Sequence, residues 1–221
     1  MAGSPSSTVE NYLKAIFLAQ TRPDVVVPMG QLAASLGVVP GTATTMVKAL
    51  AESGLVDYEP YVGVRLTKGG RKLAALVLRR HRLIELFLVQ VMGMSWAEVH
   101  EEAEHLEHAM SDRLVDRIDE MLGRPAVDPH GDPIPNEHGQ LAAPQDDNLL
   151  TCTLRVPVTV TRVIDQSVDF LGFVEHSQLK PGETVRVEDR DAAADRVVLT
   201  RRGETIAIGA RAAAKLMVRP A

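Results

Sequence analysis

MGQLAASLGVVPGTATTMVKALAESGLV, residues 29–56, reads as a helix, a turn carrying Gly37 and a second helix that stops at Gly54. This is a helix-turn-helix pattern. The second helix, roughly residues 41–53, keeps Ala43, Val47 and Leu50 for a core and turns Thr42, Thr44, Thr45 and Lys48 outward. Short hydroxyl side chains and one lysine suit a helix lying in a DNA major groove, where side chains meet base edges and phosphates closely. Downstream, LVDYEPYVGVRLT (55–67) holds two short β-rich runs around Glu59–Gly63, and the basic series Arg65, Lys68, Arg71 and Lys72 runs through and beyond it. It reads as the wing of a winged helix, with a solvated hairpin and helix start as the alternative. Pro40, Thr42, Thr44, Thr45, Lys48 and Arg65 are the candidate DNA contacts. Upstream, TVENYLKAIFLAQ (8–20) spaces Val9, Tyr12, Leu13, Ile16 and Phe17 for a first amphipathic helix, with Ser7 or Thr8 as its N-cap.

The charge along the 221 residues fits such a reader. The net charge is −5, yet residues 1–82 carry 10 Lys/Arg against 5 Asp/Glu, residues 83–145 carry 3 against 13, and residues 146–221 carry 11 against 11. A basic N-terminal third beside an acidic middle is a polyanion-binding module joined to a segment that attracts cations. Hydrophobic residues at 45% and charged residues at 24% exclude a disordered or coiled-coil chain. No apolar run is long enough to span a membrane, and Met1–Ser7 has neither a basic nor an apolar leader segment, so a cytoplasmic protein without a membrane partner is expected. The lone Cys152 allows neither an internal disulfide nor a paired-cysteine zinc knuckle.

The acidic middle holds the chemistry. Leu73, Val77, Ile84 and Val91 give a core stripe to a long helix from Thr67 to about Met92, and Ser95 caps a second helix, SWAEVHEEAEHLEHAMS, before a third at 111–122. At about 100° per residue, Val99, Ala103, Leu106 and Met110 form one stripe of the second helix, and His100, Glu104, Glu107 and His108 form another beside it. Glu98, Glu101, Glu102 and His105 fall on the far, solvated side. His81 and Glu85, spaced i,i+4, sit beside the core stripe of the long helix. Packing the two core stripes together brings these flanking faces into register. Imidazole nitrogens and carboxylate oxygens without a thiol suit Mn²⁺ or Fe²⁺ better than zinc or copper. A solvated acidic face is the alternative for either helix alone. A metal-dependent hydrolase finds little support, because no GxSxG elbow, HExxH motif or phosphate loop is present.

After PAVDPHGDPIPNEHGQLAAPQDDN (125–148), with five prolines and little periodicity, the composition changes. Residues 153–163, 183–189, 195–200 and 204–208 are short Val/Thr-rich runs, which predict a small β-barrel with an insertion near Phe170–Leu179. The expected fold is a mainly α N-terminal two-thirds followed by a small all-β barrel. The expected domains are a winged helix over 1–72, a helical dimerisation and metal-binding domain over 73–124, a Pro-rich linker over 125–150 and the barrel over 151–221.

RRHRLIELFL (79–88), EVHEEAEHLEHAMSDRL (98–114) and DPHGDPIP (128–135) resemble the diphtheria-toxin-repressor family of metal-dependent transcriptional regulators, and within it the manganese-regulator branch. VDFLGFVEHSQLKPGETVRV (168–187) matches more loosely. The resemblance implies a homodimer that binds a palindromic operator on double-stranded DNA and carries two metal ions per subunit, with an SH3-like C-terminal domain related to ferrous-transport accessory proteins. Carried over by position, His81, Glu85 and His100 are ligands of one ion, and Glu104, Glu107 and His108 of the other. Glu104 stands where manganese-sensing relatives have glutamate and iron-sensing relatives cysteine, so the resemblance implies Mn²⁺, with Fe²⁺ as the alternative. Asn11 stands where the family has methionine or aspartate, and Lys14 where some manganese sensors add a glutamate. Ser167 and Phe170 replace the barrel ligands of iron sensors, leaving Asp169, Glu175 and His176 as nearby substitutes. The function implied is repression of metal-uptake genes.

Overall fold

The structure, a computed structural model, describes residues 6–20, 22–141 and 146–221. The start of the chain up to Pro5, read above as free of a leader, and residues 142–145 of the Pro-rich stretch lie outside the described residues. The chain divides into two compact units, one drawn from Met1–His81, Glu107–Met110 and Pro135–Ala142, the other from Arg82–Leu106, Ser111–Ile134 and Ala143–Ala221.

The first unit opens with helix α1 (Ser7–Ala19), followed by α2 (Met29–Ser35), α3 (Pro40–Glu52) and the antiparallel strands β1 (Val56–Glu59) and β2 (Gly63–Leu66). The N-cap of α1 is Ser6 rather than Ser7 or Thr8: its hydroxyl accepts the Val9 N–H at 3.4 Å. Pro40 occupies the first turn of α3, where its missing N–H costs nothing. Leu13, Ile16, Leu32, Val47, Leu50 and Val64 are fully buried in one core, each worth about 1.5–3 kcal/mol of burial. The wing is pinned at its base by Val27, which exchanges backbone hydrogen bonds of 2.8 and 3.0 Å with Val64. Gly63 is required there, because a Cβ would strike the Val27 carbonyl and its φ is +143°.

Helix α4 (Lys68–Gln90) contributes residues to both units. Thr67 caps it, its hydroxyl accepting the Gly70 N–H at 3.1 Å. Leu73, Val77 and Ile84 lie on its covered side as expected, but Val91 falls beyond its last residue and is exposed, since Gly93 at φ +70° turns the chain away. Helix α5 (Val99–Glu107) is shorter than the predicted helix. The chain from Ser95 makes a turn first, and Trp96 and Ala97 enter the hydrophobic core of the second unit. Helix α6 (Asp112–Met121) is capped by Ser111.

The C-terminal region of the second unit is the expected all-β domain: β3 (Asp147–Asn148), β4 (Pro157–Val163), helix α7 (Val168–His176), β5 (Thr184–Asp191), β6 (Arg196–Arg201), β7 (Glu204–Ile208), the short α8 (Ala210–Ala213) and β8 (Leu216–Pro220). The strands form one antiparallel sheet in the order β3-β8-β4-β5-β6-β7, with α7 as the insertion. Alternating residues such as Val158, Val160, Val185, Val187, Val197 and Leu199 fill its core. No described helix is long and apolar enough to cross a membrane.

Candidate functional site

On α3, Pro40, Thr42, Thr45 and Lys48 are exposed, Thr44 is half-buried, and Ala43, Val47 and Leu50 face the core, as the helical spacing predicts. The Thr44 hydroxyl donates to the Pro40 carbonyl at 2.8 Å and the Thr45 hydroxyl to Gly41 at 3.1 Å. With their protons committed, both oxygens act outward as acceptors, the role needed to meet the exocyclic amino group of adenine or cytosine. Arg65, exposed on β2, holds Asp57 across the wing at 3.1 Å. An exposed pair of this kind is worth at most about 1 kcal/mol, so little energy holds the guanidinium to Asp57. Tyr61, which the sequence reading passed over, stands fully exposed at the wing tip with φ +66°.

The first unit gathers His81, Glu107, His108 and Asn11 from three helical segments. Glu107 is completely buried: one oxygen accepts from Lys14 Nζ at 2.7 Å, and the other lies 2.6 Å from His81 Nδ1. Burial pushes its carboxyl pKa up, but hydrogen bonds and charge from His81 and Lys14 outweigh that and hold it below the usual range. His108 lies 2.7 Å from Glu10 through Nδ1 and 2.8 Å from the Asn11 side-chain oxygen through Nε2. Arg80 donates to the Glu107 carbonyl at 3.0 Å and sits 3.6 Å from Glu10. Helix α1 therefore has two working faces. Glu10, Asn11 and Lys14 join the donor group, while Tyr12, Leu13, Ile16 and Phe17 pack into the helix-turn-helix core. The buried Glu10 was missed, although its i,i+4 spacing to Lys14 places both on the Asn11 side of the helix.

The second unit gathers Glu85, His100 and Glu104. His100 Nδ1 is 3.1 Å from Glu85 Oε1, and its Nε2 is 3.7 Å from Glu104. Glu85 is buried, and His100 is half exposed. Glu98, Glu101, Glu102 and His105 are exposed, matching the solvated side expected of them. Asp128 and His130, in the stretch read as linker, are buried beside Glu85. Asp128 Oδ1 accepts the backbone N–H groups of His130 at 2.8 Å and Asp132 at 3.0 Å, which folds the DPHGD segment into a tight loop. Burial, and then the charges of Asp132 and Glu85, push the Asp128 carboxyl up to about 8. The prolines signalled irregular backbone, and irregular backbone here is packed rather than solvated. Asp169, Glu175 and His176 lie on α7 and form no donor cluster among the described residues.

Comparison with known proteins gives a consistent set of matches. The iron dependent repressor N-terminal DNA-binding domain matches residues 6–64, the iron dependent repressor metal-binding and dimerisation domain residues 67–136, and the FeoA domain residues 148–220. The iron-dependent repressor IdeR of Mycobacterium tuberculosis is 32% identical over 194 residues, covering 82% of this chain and 84% of that protein. Among solved structures, a manganese-dependent transcriptional repressor in complex with manganese is 39% identical with a TM-score of 0.86 over 96% of this chain and all of that one. The manganese regulator SloR is 33% identical with a TM-score of 0.75, covering 99% of this chain and all of its own.

Proposed function

Since this chain belongs to the diphtheria-toxin-repressor family of metal-dependent DNA-binding repressors, we propose that it senses Mn²⁺ and represses metal-uptake genes as a homodimer on a palindromic operator. The metal ligands in this reading are His81, Glu85, His100, Glu104, Glu107 and His108, with Asn11 as an oxygen donor from α1 and two ions per subunit. The donors are hard oxygens and imidazoles with no thiol, and Glu107 is held ionised, which fits a divalent ion of the Mn²⁺ or Fe²⁺ kind. When bound, the ion supplies a fixed divalent charge to groups that otherwise depend on Lys14 and Arg80 for neutralisation.

The observation that carries the reading is the double face of α1. Asn11 and Glu10 meet His108 on one side, and Tyr12, Leu13, Ile16 and Phe17 meet the DNA-reading core on the other. A change in the charge held by His81, Glu107 and His108 therefore bears on the helix that buttresses α2 and α3. The DNA contacts are Pro40, Thr42, Thr44, Thr45, Lys48 and Arg65. Leu114 and Met121, large apolar side chains exposed on α6, support association of two copies. Fe²⁺ is the second reading, favoured by the 32% identity to an iron-dependent repressor and by the small difference in ligand preference between the two ions. The relatives are named as repressors, so regulation rather than turnover is supported.

Glu104→Ala and His108→Ala are expected to abolish Mn²⁺-dependent DNA binding while leaving far-ultraviolet circular dichroism unchanged. Equilibrium dialysis of Mn²⁺ beside a DNA-binding assay checks this. An unchanged metal response in both variants would overturn the ligand assignment.

A further inference from the structure

His130 is wholly buried, with its ring stacked on Trp96 at a centroid distance of 5.4 Å. Its Nε2 lies 2.8 Å from the Trp96 carbonyl oxygen, which only accepts, so Nε2 carries a proton, and in the neutral ring Nδ1 presents a lone pair. That lone pair has no hydrogen-bond partner. It faces two acceptors instead: Glu85 Oε2 and Asp128 Oδ1, each at 4.0 Å. Three potential ligand atoms thus converge in a buried place. A separation of 4.0 Å is too long for a hydrogen bond. Two donors each about 2.1 Å from one ion stand at most about 4.2 Å apart, so the same separation lies within a metal ion's span.

Arg82 is shared between Asp128 at 3.4 Å and Asp132 at 3.4 Å, and its third contact is the neutral Pro133 carbonyl at 2.6 Å. Arg162 reaches Asp132 at 3.4 Å. Asp128 Oδ2 is buried without a hydrogen bond. The loop itself is built to hold its shape. Gly131 has φ +87°, and a Cβ there would run into the Thr161 carbonyl, while the His130 carbonyl accepts the Val163 N–H from β4 at 2.9 Å. An imidazole whose far nitrogen donates to a backbone carbonyl is oriented as metal-binding histidines are.

We propose that Glu85, Asp128 and His130 form a further divalent-cation site, with His130 binding through Nδ1 and Glu85 presenting one carboxylate oxygen to His100 and the other to this site. The inference shares Glu85 with the proposed function and otherwise stands on its own residues. One imidazole and two carboxylates select a borderline-hard ion, and Mn²⁺ is the probe.

The test has two parts on the full chain. Crystals of the unsubstituted protein grown with Mn²⁺ should show a peak of manganese anomalous scattering within about 2.5 Å of His130 Nδ1 and of the Glu85 and Asp128 carboxylates. Native mass spectrometry should count one Mn²⁺ fewer in His130→Gln and Asp128→Asn, or affinity for that ion should fall at least about tenfold. His130→Gln keeps a donor for the Trp96 carbonyl, and Asp128→Asn keeps the acceptor for the two loop N–H groups, so each removes a ligand with little loss of loop structure. Glu104→Ala should retain this ion. Manganese found elsewhere in the crystal, with no peak in this triangle and unchanged counts in both variants, overturns this site alone. No bound manganese anywhere overturns both this site and the proposed function. If a variant fails to fold, the anomalous peak of the unsubstituted chain decides.

Discussion

Lys14 sets the resting state of the donor group in the first unit. Its ammonium is buried against Glu107 at 2.7 Å, so a divalent ion approaching that carboxylate competes with a cation already there. Breaking such a pair leaves Glu107 buried against His81 and His108, and losing one partner of a buried ion pair costs about 3–5 kcal/mol. Lys14→Ala is therefore expected to destabilise the metal-free protein by up to about 3 kcal/mol, because His81 and His108 offset part of the loss, and to tighten Mn²⁺ binding about tenfold or more. Chemical denaturation with and without Mn²⁺ measures both effects. Equal stability of the variant and the parent would mean that Lys14 does not neutralise Glu107. Asn11, on the same helix, brings a neutral amide oxygen to His108 without adding charge.

The recognition helix and the wing make separable contributions at the scale of the element. Lys48 on α3 and Arg65 on β2 are exposed and lie outside both donor groups. Lys48→Ala and Arg65→Ala should each weaken DNA binding about equally on all sequences, and each should reduce the slope of log K against log salt by about 1, with Mn²⁺ affinity unchanged. A loss of Mn²⁺ affinity instead would mean that they act through folding. The elements themselves were legible in the sequence wherever a period was long enough to read. The apolar spacing of α1, α3 and α4, the Val/Thr alternation of β4 to β7 and the Gly-marked turns are local signals, and the structure follows them. What escaped was set by distant partners. Trp96 and Ala97 leave the predicted helix because a core far along the chain takes them in, so α5 begins at Val99 rather than after Ser95. Strand β8 is legible only through its pairing with β3 and β4. Asp128 and His130 were hidden by the surrounding prolines, which report the absence of a regular backbone and nothing about burial. Glu10 was hidden because its partner, His108, lies almost a hundred residues away.

At the scale of the whole molecule, charge is divided as a metal-gated DNA binder requires. The basic residues of positions 1–82 supply the attraction to phosphate, and the acidic residues of positions 83–145 supply the attraction to cations. Coupling the two needs only a difference in affinity. An ion that binds the DNA-competent form about 100-fold more tightly than the other shifts the equilibrium by about 2.7 kcal/mol. By reciprocity, operator DNA tightens metal binding by the same factor. The most direct test is fluorescence anisotropy of the metal-stripped protein on DNA from upstream of its own gene, titrated in turn with Mn²⁺, anaerobic Fe²⁺ and Mg²⁺ at fixed salt. Binding about 100-fold tighter with Mn²⁺ than with Mg²⁺ or no metal is the predicted result. Equally tight binding without metal, or an equal response to Mg²⁺, would contradict the claim that the His/Glu groups gate the reader.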